Sequence, residues 1–297
     1  MNQKFLYIKS TQHPVILATL WMMGALISFM TMAIGGRELS NKLSTFEILF
    51  FRSLIGLVII CFILYRSGWR QILTKRIGLH SVRNLAHFGG QFGWFYGIGL
   101  IPLAEVFAIE FTLPVWTAVL SAILLGERLT NPRLIAIGFG FAGMLIILRP
   151  GLAIINPASL AVLVSAICLA LSHTLTRKLV LTDTPFTILF YMTAIQLPLG
   201  LFPALGAWVT PPLAIWPWLF VVGVTALSAH FCMARALALA DATVVVPMDF
   251  LRLPLIAMVG FVFYLEPLNW YVMLGATVMF IGNFVNIRAE RVTGIDT

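Results

Sequence analysis

Residues 184–234 contain no Asp, Glu, Lys or Arg. So long a charge-free run cannot coat a water-soluble domain, in which about a quarter of the residues are charged. A single bilayer crossing takes about 20 apolar residues, so the run is also too long for one span. Gly206-Ala-Trp-Val-Thr-Pro211-Pro212 supplies the turn that divides it. Applied to the whole chain, the same ruler predicts helices near 15–34, 46–65, 83–100, 104–126, 132–148, 157–176, 185–206, 214–235, 242–265 and 268–287. The fold class this implies is all-α integral membrane, with ten transmembrane helices. Lys4 and Lys9 ahead of the uncharged run from His13 to Gly36 resemble the start of a secretory signal. With so many spans following, the run is read as an uncleaved first helix.

Ten spans use about 200 residues, which leaves roughly 100 for tails and connections and no room for a soluble catalytic domain. Loops assigned alternately place Lys4, Lys9, Arg66, Arg70, Lys75, Arg76, Arg128, Arg133, Arg177, Lys178, Arg235, Arg288 and Arg291 on one side, against Arg37, Lys42 and Arg149 on the other. The basic side faces the cytoplasm, which predicts a bacterial inner-membrane protein with both termini inside. The formal charge of +8 is thereby explained by topology; the Lys and Arg residues form no basic stripe, so nucleic acid is not an expected partner. Cys61, Cys168 and Cys232 each sit alone in apolar runs and are read as buried thiols. No metal or cofactor motif is present, and neither is expected.

The chain also repeats. At one constant offset, with no gap, Glu110 falls on Asp249, Phe111 on Phe250, Ala118 on Ala257, Glu127 on Glu266, Leu129 on Leu268, Phe141 on Phe280, Gly143 on Gly282 and Arg149 on Arg288. Composition alone yields several identities in so apolar a chain, but here the interior and loop acids both coincide. Residues 1–150 and 151–297 are read as related halves of five helices each. An odd number of spans per half inverts the second half relative to the first, giving two inverted repeats.

Glu110 and Asp249 lie inside predicted spans, each followed by a phenylalanine and then a proline, Pro114 or Pro254. An acid at membrane depth costs about 2.5–3.5 kcal/mol on insertion scales. Each proline withholds an N–H from a carbonyl four residues earlier, freeing a backbone acceptor near the acid and marking a hinge. Two readings stand: structural acids held by buried partners, or a transport pathway. Arg52 falls at about the depth of Glu110, in the outer half, and Arg252 lies one turn beyond Asp249, in the inner half; they are the expected partners. Arg83, His87 and Gln91 recur every fourth residue as a polar stripe that Trp94 continues, read as a cavity lining. His173 and His230 read as helix contacts, although His230 is also an inner-half candidate. Trp116, Phe111 and Phe250 flank the polar positions and suit a flat or partly apolar solute. Gly89-Gly90 and Gly138-x-Gly140-x-x-Gly143 permit close helix approach.

Leu103-Ala-Glu105, Phe111-Thr-Leu-Pro114-Val-Trp116, Leu125-Gly-Glu127-Arg-Leu129 and Phe50-Phe-Arg52 together resemble the EamA repeat of the drug/metabolite transporter superfamily. The second copy keeps Leu239-Ala-Asp241 and Leu265-Glu266-Pro267-Leu268 and departs at Asp249 and Arg252. The resemblance implies a secondary transporter that alternates access around a mid-membrane cavity. That cavity is expected among the third, fourth, eighth and ninth helices, with parts of the second and seventh. The expected substrate-binding set is Glu110, Asp249, Arg252, Arg52, His87, Gln91, Trp94, Trp116, Phe111, Phe250 and His230. The cargo expected is a small polar or zwitterionic metabolite, an amino acid or related compound, with protons a candidate coupling ion. A membrane enzyme is the first rival, but H-E-x-x-H, G-x-S-x-G and carboxylate-rich metal motifs are all missing. A non-transporting membrane subunit is the second.

Overall fold

The computed structural model describes residues 14–126, 130–149, 156–239, 248–249 and 251–293, and the regular structure among them is entirely helical. The helices are α1 (Pro14–Ser40), α2 (Thr45–Ser67), α3 (Ile77–Leu100), α4 (Leu103–Glu110), α5 (Leu113–Leu125), α6 (Asn131–Leu148), α7 (Pro157–Leu179), α8 (Pro185–Ala204), α9 (Trp216–Leu239), α10 (Arg252–Tyr264) and α11 (Trp270–Thr293). Helix starts follow local chemistry. Ser44 and Glu47 form a reciprocal capping box on α2, and the second Glu47 oxygen accepts from Val209 N at 2.6 Å, tying a distant loop to that cap. The caps Thr130, Asn156 and Thr184 precede prolines in the first turns of α6, α7 and α8, where a missing N–H costs nothing.

Among the described residues, six segments are long and apolar enough to cross a membrane: Ile16–Ser40, Thr45–Ser67, Leu103–Leu124, Pro157–Leu179, Pro185–Ala207 and Leu213–Met233. Shorter apolar helices occupy Leu134–Leu148, Arg252–Tyr264 and Trp270–Val285. The surface is apolar and part of the interior polar. Phe62, Phe202 and Phe263 are exposed, while Glu47, Arg52, Arg83, His87, Gln91 and Gln196 are buried. A soluble protein would reverse this arrangement; the molecule is a multi-pass membrane protein.

Contacts sort the connections to two ends of the bundle. At one end Arg37 donates to Ile101 O (2.6 Å) and Leu103 N to Glu266 (2.8 Å). At the other, Arg76 donates to Lys178 O (3.1 Å) and Tyr191 to Ile72 O (2.9 Å). Helix pairs join the first half of the chain to the second throughout: α1 with α9, α3 with α7, α2 with α8, α4 with α10, and α6 with α11. The last pair meets backbone to backbone. A Cβ on Gly143 would lie 2.5 Å from Gly275 O, and one on Gly275 2.6 Å from Gly143 O, so only glycine fits at either position.

Helix bounds recur along the chain at the offset that relates Glu110 to Asp249. By that offset the start of α3 maps onto that of α9 (Ile77 to Trp216) and both ends of α5 onto those of α10 (Leu113 to Arg252, Leu125 to Tyr264). The start of α6 maps onto that of α11 (Asn131 to Trp270). α5 and α10 also close alike. Gly126 (φ 70°) and Leu265 (φ 54°) are left-handed caps whose N–H groups reach Ser121 O and Gly260 O, again equivalent positions.

The predicted helix over 104–126 is interrupted just ahead of Pro114. α4 stops at Glu110 and α5 starts at Leu113. Thr112 N bonds to Ile109 O (3.0 Å) and Val115 N to Thr112 O (3.0 Å), tight three-residue turns that replace the bond Pro114 cannot make. Of the predicted helix over 242–265, residues 242–247 and 250 lie outside the described residues; Leu251 N bonds to Met248 O (3.1 Å), and α10 starts afresh at Arg252.

Candidate functional site

Both helix breaks open on one cavity of about 190 Å³, enclosed by α1, α3, the α4–α5 break, α7, α9 and the Asp249–Arg252 segment. Ending α4 at Glu110 turns that carboxylate inward: Oε2 accepts from Trp94 Nε1 at 2.9 Å, and Oε1 lies 3.5 Å from Arg252 Nη1. Arg252 Nη2 makes a direct, charge-assisted bond to Asp249 Oδ2, three residues earlier on the same segment. Two carboxylates therefore share one guanidinium, which leaves an excess of one acid. Phe29, Phe107 and Phe111 hold their rings 4.7, 5.5 and 5.6 Å from the Arg252 Cζ, a cation–π cage around a buried charge. Asp249 Oδ1 and Arg252 Nη1 are buried and make no hydrogen bond among the described residues. They are the open valences of the site.

The other side of the cavity is built on α3, which is unbroken. Gln91 accepts a direct hydrogen bond from Arg52 Nη1, so its amide nitrogen faces His87 Nε2 at 3.5 Å. The second imidazole nitrogen of His87 lies 2.8 Å from the Gln196 amide, and its ring lies 5.7 Å from that of His230. Arg83 is spent on Thr176 (3.1 Å) and Asn84 (2.6 Å). Arg52 is buried with Nε and Nη2 unbonded among the described residues.

Of the expected residues, Glu110, Asp249, Arg252, His87, Gln91, Trp94, Phe111, His230 and Pro114 line the cavity. Several do not. Arg52 stands behind Gln91 and is not the partner of Glu110; Arg252 takes that place, because α4 packs against α10 rather than α2. Trp116 turns away to pack on Phe141 at 5.4 Å and donates to Thr112 at 3.2 Å. Pro254 is exposed on the outside of α10. Phe250 falls outside the described residues.

The cavity walls also differ from expectation. α1 contributes Phe29 and Met32, and α7 contributes Leu169 and His173, whereas α2 and α8 form a layer behind them that carries Arg52 and Gln196. His173, read as a helix contact, belongs to the cavity. Sequence reasoning missed Phe29, Met32, Phe95, Leu113, Leu169 and Met233, which are apolar residues in apolar helices. A signal did exist for some of them. Gln91 and His230, Trp94 and Met233, Glu110 and Asp249, and Leu113 and Arg252 are lining pairs related by the repeat offset.

The EamA-like transporter family matches residues 16–149 and again residues 156–288. The chain belongs to that family. Its curated relatives include the S-adenosylmethionine uptake transporter of Rickettsia bellii, 26% identical over 272 residues, covering 91% of this chain and 93% of that protein. They also include the riboflavin transporter of Vibrio cholerae, 30% identical over 261 residues, covering 86% and 87%. A solved crystal structure superposes with a TM-score of 0.63 at 16% identity over 94% of this chain and 99% of its own, a likeness of fold alone. As an EamA-like protein, the chain is a membrane transporter of small metabolites.

Proposed function

We propose that the protein is a bacterial inner-membrane secondary transporter that moves a zwitterionic, cation-bearing metabolite of the amino-acid class, with S-adenosylmethionine the leading candidate, by alternating access. The observation that carries this reading is the acid–arginine–acid ladder in an aromatic-walled cavity. The excess carboxylate suits an ammonium or sulfonium. Trp94, Phe95 and Phe111 suit a flat ring. The named activity of the Rickettsia relative supports the same chemistry.

Ten spans follow if α3, α6, α10 and α11 cross the membrane alongside the six apolar segments. α3 falls below them in hydropathy because its buried face carries His80, Arg83, Asn84, His87 and Gln91. We read residues 1–150 and 151–297 as inverted five-helix repeats. The shared helix bounds support this, and so does the exchange of contacts. Gly143 meets Gly275, and their repeat equivalents, Gly282 and Ala136, also meet. The lining pairs then lie about the axis of the repeat, where rocking of one half against the other would expose the cavity to each side in turn. The basic loops put the Arg76 end in the cytoplasm. Reporters fused after Arg76 and after Thr297 are expected to read cytoplasm and one within 207–213 periplasm; opposite sides for the first two would end the inverted-repeat reading.

A second reading, a flat uncharged cargo, draws on the aromatic wall and on the named activity of the Vibrio relative. Thermal stabilisation of the purified protein separates the two. S-adenosylmethionine is expected to stabilise it in a saturable manner and riboflavin to do so weakly, with uptake into proteoliposomes following the same order; the reverse order favours the flavin reading. An imposed pH gradient in the same vesicles tests protons as the coupling ion.

A further inference from the structure

We propose that Arg252 is a built-in counter-cation that a cationic substrate displaces from Glu110, and that the displacement releases one of two clamps holding α4 to α10. The inference rests on the cationic-cargo reading above. The clamps sit at opposite ends of α4. At its last residue, Glu110 meets Arg252, the first residue of α10, at 3.5 Å. At its first residue, Leu103 N donates to Glu266 just beyond α10 at 2.8 Å. Arg37 braces the second clamp, 3.0 Å from the other Glu266 oxygen, and Tyr264 at the end of α10 donates to Glu38 at 2.8 Å. The clamps are separated by the length of α4, about 12 Å.

The inner clamp is built to be released. A 3.5 Å ion contact is looser than a charge-assisted hydrogen bond of about 2.7–2.9 Å, and Arg252 Nη1 has no hydrogen bond among the described residues. Arg252 stays anchored through Nη2 to Asp249, and the Phe29, Phe107 and Phe111 rings accommodate its charge, so it can leave Glu110 without being stranded. Glu110 stays oriented by Trp94 while facing the cavity. A substrate cation can take Glu110 only from the state in which Arg252 has released it. That requirement supplies the differential affinity any ligand-driven shift needs. A neutral molecule of the same shape would fill the cavity and leave the clamp closed.

The test uses the full chain in lipid nanodiscs, in a background lacking Cys61, Cys168 and Cys232, with Leu103→Cys as reporter. Leu103 is fully buried beside the outer clamp, which alone holds α4 to α10 once Arg252 has left Glu110, so a water-soluble thiol reagent reaches a cysteine there more often when the inner clamp is released. S-adenosylmethionine is expected to raise the labelling rate about fivefold or more, whereas S-adenosylhomocysteine, which lacks the sulfonium charge, is expected to bind without raising it. Glu110→Gln and Arg252→Gln should label at the raised rate with no ligand. Arg252→Gln should also bind S-adenosylmethionine about tenfold more tightly, because its competitor is gone. Equal labelling with the two adenosyl compounds, or wild-type labelling in both ligand-free variants, overturns the proposal. So does weaker S-adenosylmethionine binding by Arg252→Gln, which would make Arg252 a direct substrate ligand. If the wild type does not bind S-adenosylmethionine, the cargo reading fails, and the ligand-free variants alone decide the clamp. Monodisperse elution shows which variants fold, and either glutamine variant carries that arm alone.

Discussion

At Glu110 and at Asp249 an acid precedes a turn, and a helix of 13 residues follows, beginning at Leu113 in one case and Arg252 in the other. The residues before those helices, Thr112 and Leu251, share a backbone conformation, with φ/ψ of −72°/−14° and −62°/−19°. The two breaks differ in charge. Where the first has the apolar Leu113, the second has Arg252, and that one residue serves both acids. The backbone device is thus common to the halves, while the polarity of the cavity rests on a single side chain from one of them. Asp249 holds Arg252 locally, and Glu110 holds it across the interface between the halves.

The largest effect is expected from separating these roles. Asp249→Asn should cost about 3–5 kcal/mol of stability, because it removes the direct partner of a buried guanidinium. Glu110→Gln should cost about 1–2 kcal/mol, since Arg252 keeps Asp249 and a glutamine oxygen still accepts from Trp94. Denaturant unfolding in micelles compares the two; equal costs would erase the distinction between local and cross-half partners. Adding Arg252→Leu to Asp249→Asn should recover part of the loss, as removing both ions strands neither.

Moving the cation tests the symmetry itself. Arg252→Leu combined with Leu113→Arg places the guanidinium at the equivalent position of the first break and should recover about 2 kcal/mol relative to Arg252→Leu alone. No recovery would mean that the breaks are alike in backbone only. A smaller loss, about 1.5 kcal/mol, is expected for Trp94→Phe, which removes one hydrogen bond to a carboxylate and keeps an aromatic ring. The smallest concerns Arg52, whose charge meets an amide and no acid among the described residues. Arg52→Met should change stability by less than about 1 kcal/mol in either direction, because losing one amide bond is offset by relief of an unpaired buried charge. A cost as large as that of Asp249→Asn would reveal an anionic partner for Arg52.

Much of the cavity was legible residue by residue, and the reason is physical. A charge or amide in an apolar run is conspicuous, so Glu110, Asp249, Arg252, His87 and Gln91 stood out. Their grouping was less legible. Arg52 was matched to Glu110 by depth, a one-dimensional coordinate that says nothing about which helix faces which. Trp116 lies next to a break and turned out to face α6. Phe29 and Met32 carry no signal at all, because an apolar residue reads the same whether it meets lipid, core or cavity.

The sequence by itself determined that the chain is helical and membrane-embedded, and that its fourth helix is disturbed near Pro114. It also contained the repeat that sets Glu110 on Asp249, and a resemblance to the EamA family. These follow from hydropathy over about 20 residues, from a missing N–H and from positional identity, all local or additive properties. The tertiary structure alone decided that α1 and α7, rather than α2 and α8, wall the cavity, that Glu110 shares Arg252 with Asp249, and that α4 and α10 are joined at both ends. Those outcomes depend on which helices can approach closely, set by contacts such as Gly143 on Gly275 between residues far apart in the chain. No window of sequence contains both partners of such a contact.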